Sequence, residues 1–181
     1  MARVPLITSK DQVPEKHHAI VDGIVGSRGS LQGPFSVFLH SPEISERVAH
    51  LGALVRFEGS LDFRVRVLAA MTIAREFGAL YVWGAQAGSA RRQNVPETTI
   101  TAIKENRSDG IPADDLQIIA FTRQLLCKHR VEDGLAQAML ARFGNDQYIQ
   151  LTGVIGYYSM LCMTVNACEL ETGAGAEILK I

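Results

Sequence analysis

The chain has 181 residues, of which 47% are hydrophobic and 20% charged, with a formal net charge of −1. That length suits one domain, which buries about two-thirds of the surface its unfolded chain exposes and needs no covalent staples. The near-neutral charge gives no general attraction to nucleic acid or acidic membranes, so neither is expected as a partner. Cys127, Cys162 and Cys168 are odd in number, lack CxxC spacing and lie in helix-like sequence, which argues against a disulfide framework and for a reducing cytoplasm. The opening MARVPLITSKDQVPEKHH has neither the apolar core nor the small-residue cleavage site of a secretion signal, so a cytoplasmic location is expected.

Residues 1 to 35 hold most of the turn signals (Pro5, Pro14, Gly23, Gly26, Gly29, Gly33 and Pro34) around a short helical pattern at Glu15 to Val25. This part is expected to wrap a single helical body spanning 36–181. Ser41-Pro42-Glu43 combines a capping residue, a first-turn proline and an acid favoured by the helix dipole, and opens a helix to about Phe57. Ser60 is a candidate cap for the next helix, where Val67, Met71, Ala74 and Gly78 recur at three- and four-residue steps. A further helix, about Leu80 to Gln93, stops at Asn94, a residue that tolerates the left-handed conformation. Pro96 starts another, to about Asn106.

After the loop SDGIP, Leu116 to Cys127 describes an amphipathic helix with Arg123 interrupting its apolar face. Glu132 to Phe143 is a shorter helix closed by Gly144, and an apolar helix follows from about Asp146. Its segment QYIQLTGVIGYYSMLCMTVNAC carries no formal charge and approaches the length of a membrane span. Two glutamines, two threonines, a serine and an asparagine dilute it, so it reads as a buried core helix and no membrane is expected. No stretch alternates with period two, and the expected class is all-α.

Taken together, GPF (33–35), LHSPEI (39–44), LGALVRF (51–57), AREFGALYVWGAQ (74–86), NVPETTITAI (94–103) and LTGVIGYYSMLCMTVNA (151–167) resemble the carboxymuconolactone decarboxylase family. That family shares its fold with alkyl hydroperoxidase D-like proteins. The resemblance runs from about residue 14 to residue 170. It implies a helical bundle that self-associates, often as trimers or hexamers, with its site near the helix pair containing residues 75–96. In redox-active members a glutamate lies twelve residues before a CxxC pair and a histidine four residues after it. Those four positions correspond here to Val67, Ala79, Val82 and Gln86. Peroxide reduction by that route needs a thiolate, a resolving thiol and a base, none of which alanine or valine supplies. Many non-redox relatives keep a histidine where this chain has Gln86, and an amide does not titrate near neutral pH although it retains a donor and an acceptor.

The candidate site residues follow. Glu76, beside the Gly78 break, is a candidate general acid or base, or else an ion-pair partner of a nearby arginine. Trp83 and Gln86 share a helix face and Tyr81 enters the same region, an arrangement suited to a planar unsaturated ligand, with core packing as the alternative. His50 is a candidate proton carrier or a structural histidine, and Arg56 a candidate carboxylate clamp. His17-His18 has no spaced ligand partners, and neither metal nor cofactor is expected.

These residues give two readings. One is a cofactor-independent enzyme acting on an unsaturated lactone or carboxylate by decarboxylation, isomerisation or lactone opening, with Glu76, His50 and Gln86 catalytic and Arg56, Tyr81 and Trp83 binding substrate. The other is a non-catalytic, oligomeric binding or structural member of the family. Convergence of Glu76, His50, Arg56 and Gln86 on one cavity would separate them.

Overall fold

A computed structural model describes residues 2–172 and Leu179. Among them the regular structure is helical: α1 (His18–Arg28), α2 (Phe35–Phe38), α3 (Pro42–Ala53), α4 (Phe63–Glu76), α5 (Leu80–Arg92), α6 (Glu97–Lys104), α7 (Ala113–Lys128) and α8 (Asp133–Ala167). A π-helical turn, Leu54–Glu58, prolongs α3. The chain is all-α.

Helix α4 is the hub. From Val65 to Ala74 every side chain is buried except that of Arg66, and a helix apolar on nearly all sides must lie inside the bundle. Helices α5, α7 and α8 pack around it, and Ala69, Ala70 and Ala74 leave room for close approach. Thr72 returns its hydroxyl to the Leu68 carbonyl at 2.8 Å, so the buried polar group is satisfied.

The charges of α4 at its two ends are paired to α7. Arg64 makes a bidentate contact with Asp115 (3.1 and 2.6 Å), and Glu76 accepts from Arg123 Nε at 3.0 Å. The two pairs occur in the same order along both helices, so α4 and α7 run in the same sense. The arginine that interrupts the apolar face of α7 in the sequence is thus the partner of Glu76.

The structure moves several sequence-predicted boundaries. Asp62, not Ser60, caps α4, with its carboxylate accepting from the Arg64 amide at 2.7 Å. Ser60 instead docks on α8, where Gln147 donates to its carbonyl and Gln150 to its hydroxyl, both at 3.0 Å. The polar residues that dilute the apolar C-terminal helix therefore hold the preceding loop. The two predicted C-terminal helices are joined as α8, broken at Gly144, whose φ of 67° and ψ of 177° are not helical. Helix α2 has only four residues and leaves no periodic signal. No helix among the described residues is long and apolar enough to cross a membrane.

The N-terminal segment lies against the body at both ends. The Arg3 amide donates to the Cys168 carbonyl and the Ile7 amide to the Ser36 carbonyl, both at 2.8 Å. Ile7, Val13, Val21, Ile24 and Leu31 belong to the same buried core as α4.

Asp115 is 6% exposed and its only ion-pair partner among the described residues is Arg64. Asp115→Ala leaves a half-buried guanidinium without its carboxylate, and the expected loss is about 2 kcal/mol. Urea denaturation checks this, with a lower midpoint and an unchanged m-value expected.

Candidate functional site

Tyr81 and Gln86 of α5, Arg56 of the π-helical turn, Arg28 of α1, and Tyr157 and Tyr158 of α8 line one cavity of about 230 Å³. A smaller chamber of about 40 Å³ adjoins it, sharing Arg56, Gln86 and Tyr158 and adding Arg66. No described acidic residue lines either space.

The three guanidiniums are held in the same way. Arg28 sits over the Phe35 ring at 4.3 Å, Arg56 over Phe57 at 4.8 Å and Arg66 over Phe63 at 5.2 Å. Arg28 also donates to the Ala49 carbonyl (2.7 Å) and Arg66 to the Val55 carbonyl (3.1 Å). None of the three has an ion-pair partner among the described residues. An aromatic face fixes a guanidinium without neutralising it, and its planar edge remains available for a carboxylate. Burial pulls the Arg66 guanidinium below its ordinary value, the cost of a cation placed where no anion is built in.

The tyrosines are nearly enclosed. Tyr157 and Tyr158 are 2% and 6% exposed, and their rings meet edge to face with centroids 5.4 Å apart. Burial raises both phenols above their ordinary value, as it does that of Tyr81. Two glycines make room for them. A Cβ at Gly52, on α3, would lie 2.3 Å from the Tyr157 hydroxyl and 2.9 Å from Arg28 Nη2. A Cβ at Gly33 would lie 2.6 Å from the Tyr81 hydroxyl, and Gly33 also has φ +72°. The GPF and LGALVRF motifs therefore carry glycines that seat cavity tyrosines.

Of the residues proposed from sequence, Arg56, Gln86 and Tyr81 meet at this cavity. Trp83 is fully buried and takes no part in the lining, and its indole Nε1 has no hydrogen-bond partner. Its placement is that of a core residue. Glu76 is bound to Arg123, with Cys127 Sγ 3.9 Å from its other oxygen, and faces a different surface depression. His50 is exposed on α3 and lines neither space. Sequence reasoning did not single out Arg28 or Arg66. The signal that could have found the arginines is their position, each within seven residues of a phenylalanine and on the inner side of an otherwise apolar helix.

No protein-family model matches the sequence, and no curated protein matches it. Solved structures do. One is an alkylhydroperoxidase AhpD core, an uncharacterized peroxidase-related protein from Ralstonia eutropha JMP134, with a TM-score of 0.75 at 14% identity over 96% of this chain and 93% of that one. Another is a protein of unknown function from Agrobacterium tumefaciens, assigned provisionally to antioxidant defence as AhpD, with a TM-score of 0.69 at 14% identity over 79% of this chain and 99% of that one. The chain has the AhpD-like fold. Val67, Ala79 and Val82, which the family resemblance sets against a redox glutamate and two cysteines, are buried apolar side chains. Val82 lines the larger space and Val67 the smaller. Of the three cysteines, Cys162 is buried and its thiol is pushed up to about 12 by desolvation, which leaves it protonated and inert. Among the described residues no group of three or more His, Cys, Asp or Glu side chains is placed to hold a metal ion.

The seating of Tyr157 can be tested at Gly52. On propensity alone Gly52→Ala should stabilise α3 by up to about 1 kcal/mol. The clash with a ring held between α3 and α8 outweighs this, and a net loss of about 1–3 kcal/mol is expected, read as a lower thermal midpoint.

Proposed function

We propose that the cavity binds a small unsaturated carboxylate, or a lactone bearing one, and that the protein is a cofactor-independent enzyme of the carboxymuconolactone decarboxylase kind. One observation carries the reading: ring-backed guanidiniums surround a space that contains phenols and an amide but no described carboxylate. A closed ion-pair network would have placed acids there. Cations kept unpaired at the edge of a cavity are suited to an anion that arrives and leaves.

In this reading Arg56 holds the carboxylate, while Tyr81 and Gln86 donate toward the oxygen on which charge develops. Decarboxylation, double-bond isomerisation and lactone opening all pass through an enolate or dienolate, which such donors stabilise more than the ground state. Glu76 and His50, assigned to proton transfer from sequence, lie away from this space, so the proton carrier is sought among its own residues. The order and spacing of the motifs from GPF to LTGVIGYYSMLCMTVNA support the family assignment. The thiol positions filled by valine and alanine speak against peroxidase chemistry, and three unpaired cysteines suit a reducing cytoplasm. A second reading, a binding member without turnover, is favoured by Gln86, which cannot titrate, and by the engagement of Glu76 with Arg123.

Self-association is part of the proposal. Ile44, Leu51, Leu54 and Phe57, on α3 and the turn that prolongs it, are 53%, 43%, 49% and 55% exposed. Apolar surface gathered in this way suits contact with another copy. Light scattering is expected to give a mass that is a multiple of 19.8 kDa, and a monomer mass would remove this part.

The ligand reading is tested by thermal shift with crotonate, sorbate, benzoate and simple butenolides. A ligand at about 100 times its Kd stabilises the native state by about 2.7 kcal/mol, which raises the midpoint by several degrees. Arg56→Ala is expected to abolish the rise, and Glu76→Gln to keep it. A rise lost in Glu76→Gln but not in Arg56→Ala would move the site to the other depression. No rise with any compound would favour the structural member.

A further inference from the structure

The proton carrier that the reading above leaves open can be sought in the polarity of the cavity's own hydrogen-bonding groups. Resting on that reading, we propose that Tyr158 is the general acid of the site, delivering its hydroxyl proton to the carbon of an enol or dienolate whose carboxylate lies on Arg56.

The groups that share the two spaces with Tyr158 argue for this direction. Arg56 from the π-helical turn and Gln86 from α5 line both spaces with Tyr158, Arg66 from α4 lines the smaller and Tyr157 from α8 the larger. Guanidiniums only donate, and the Gln86 amide offers a donor as well as an acceptor. Tyr157 turns its own hydroxyl to Gly52, where it is sealed from solvent and meets no well-formed partner. Donors therefore surround Tyr158 in the two spaces, and no described side chain lining either is an acid that would take its proton. The acceptor must come from the space that Tyr158 lines on both sides, the larger cavity and the smaller chamber. A phenol set among cations and donors, with no carboxylate in its surroundings, is arranged to give a proton rather than to take one.

The same neighbours stabilise what the transfer leaves behind. As the Tyr158 O–H bond breaks and a C–H bond forms on the ligand, the phenolate gains Arg56, Arg66 and the Gln86 amide as partners. In a decarboxylation, the substrate carries a second carboxylate beside the one on Arg56; that second group leaves as carbon dioxide, the electron pair of its broken C–C bond becomes the dienolate, and the proton from Tyr158 completes the product. In a ketonisation, the enol releases its O–H proton to water as Tyr158 protonates carbon. In both, water then restores the phenol. Gln86, at the position where the family resemblance places a histidine, does not move a proton itself. It lines both spaces beside the group that does.

Phenylpyruvate is a suitable probe, because it is an unsaturated carboxylate in its enol form and ketonisation is followed by ultraviolet absorbance. Wild-type protein is expected both to show a ligand-induced rise in midpoint and to accelerate ketonisation. Tyr158→Phe should keep the rise and lose the acceleration by about 100-fold or more, the usual contribution of a positioned general acid. Gln86→Leu, which keeps the phenol, should lower the rate while binding persists. Burial holds the phenol above its ordinary value, so the wild-type rate should show no acid-form loss between about pH 7 and 9. Acceleration that survives in Tyr158→Phe overturns the assignment. So does an unchanged rate in Gln86→Leu, or binding by wild type with no acceleration at all; in these cases the ligand reading stands. Absence of any midpoint rise with phenylpyruvate and with the carboxylates above overturns both.

Discussion

The architecture depends on one constraint, the burial of α4 on almost every side. A helix in that position has nowhere to put charge except at its ends, and there Arg64 and Glu76 are each met by a residue of α7. The pairs fix the direction and register of α7 against α4, and the small residues between them let α5 and α8 close in. The exception is Arg66, in the middle of the buried run. Buried cations without an anion cost stability, and they are retained in places where the cost serves binding or chemistry. Its guanidinium opens onto the small chamber beside Tyr158, so the core helix itself contributes a charge to the site.

How the cations are held decides what the site can do. A carboxylate partner would neutralise each arginine and leave a rigid, closed network. A phenylalanine face restrains it without neutralising it; Arg28 and Arg66 spend part of their N–H groups on carbonyls, and Arg56 spends none on a described residue. The phenols and the amide at position 86 are set among these donors, and together they make a space rich in positive potential and in hydrogen-bond donors. This is also why the apolar side chains at 67 and 82 matter. Val67 and Val82 put apolar surface among the polar groups of the two spaces, and Ala79 is buried without lining either.

Much of the helical order was legible in the sequence because it is written in local signals: the Ser41-Pro42-Glu43 start, the left-handed residue at Asn94 with φ 55°, the break at Gly144. Ser60 and Asp62 compete for one cap, and the choice follows from Gln147 and Gln150 more than eighty residues away, which no local rule sees. The site was legible only in part. Arg56, Gln86 and Tyr81 stand in the motifs, and convergence of helices brings them together. The fate of Glu76 turned on Arg123, which from sequence is an interruption in an apolar stripe. Trp83 shares a helix with Gln86, yet its side chain goes to the core, because a helix packed on two neighbours has two inner faces and spacing does not distinguish them. Arg28 was hidden for another reason. It reaches the cavity from the N-terminal segment, so its role exists only once that segment is laid on the body.

That last point reaches beyond Arg28. Ser30, Gln32 and Pro34 line the same cavity, and Gly33 makes room for Tyr81. One wall of the pocket is thus a short loop that takes no part in the α4–α7 ion pairs, facing a wall of helices that cannot change without disturbing the core. On the loop side Leu31 and Gly33 are fixed by the core and by Tyr81, while Ser30 and Gln32 are exposed and free to vary. In the proposed reading, such a division leaves ligand choice to a handful of residues between α1 and α2.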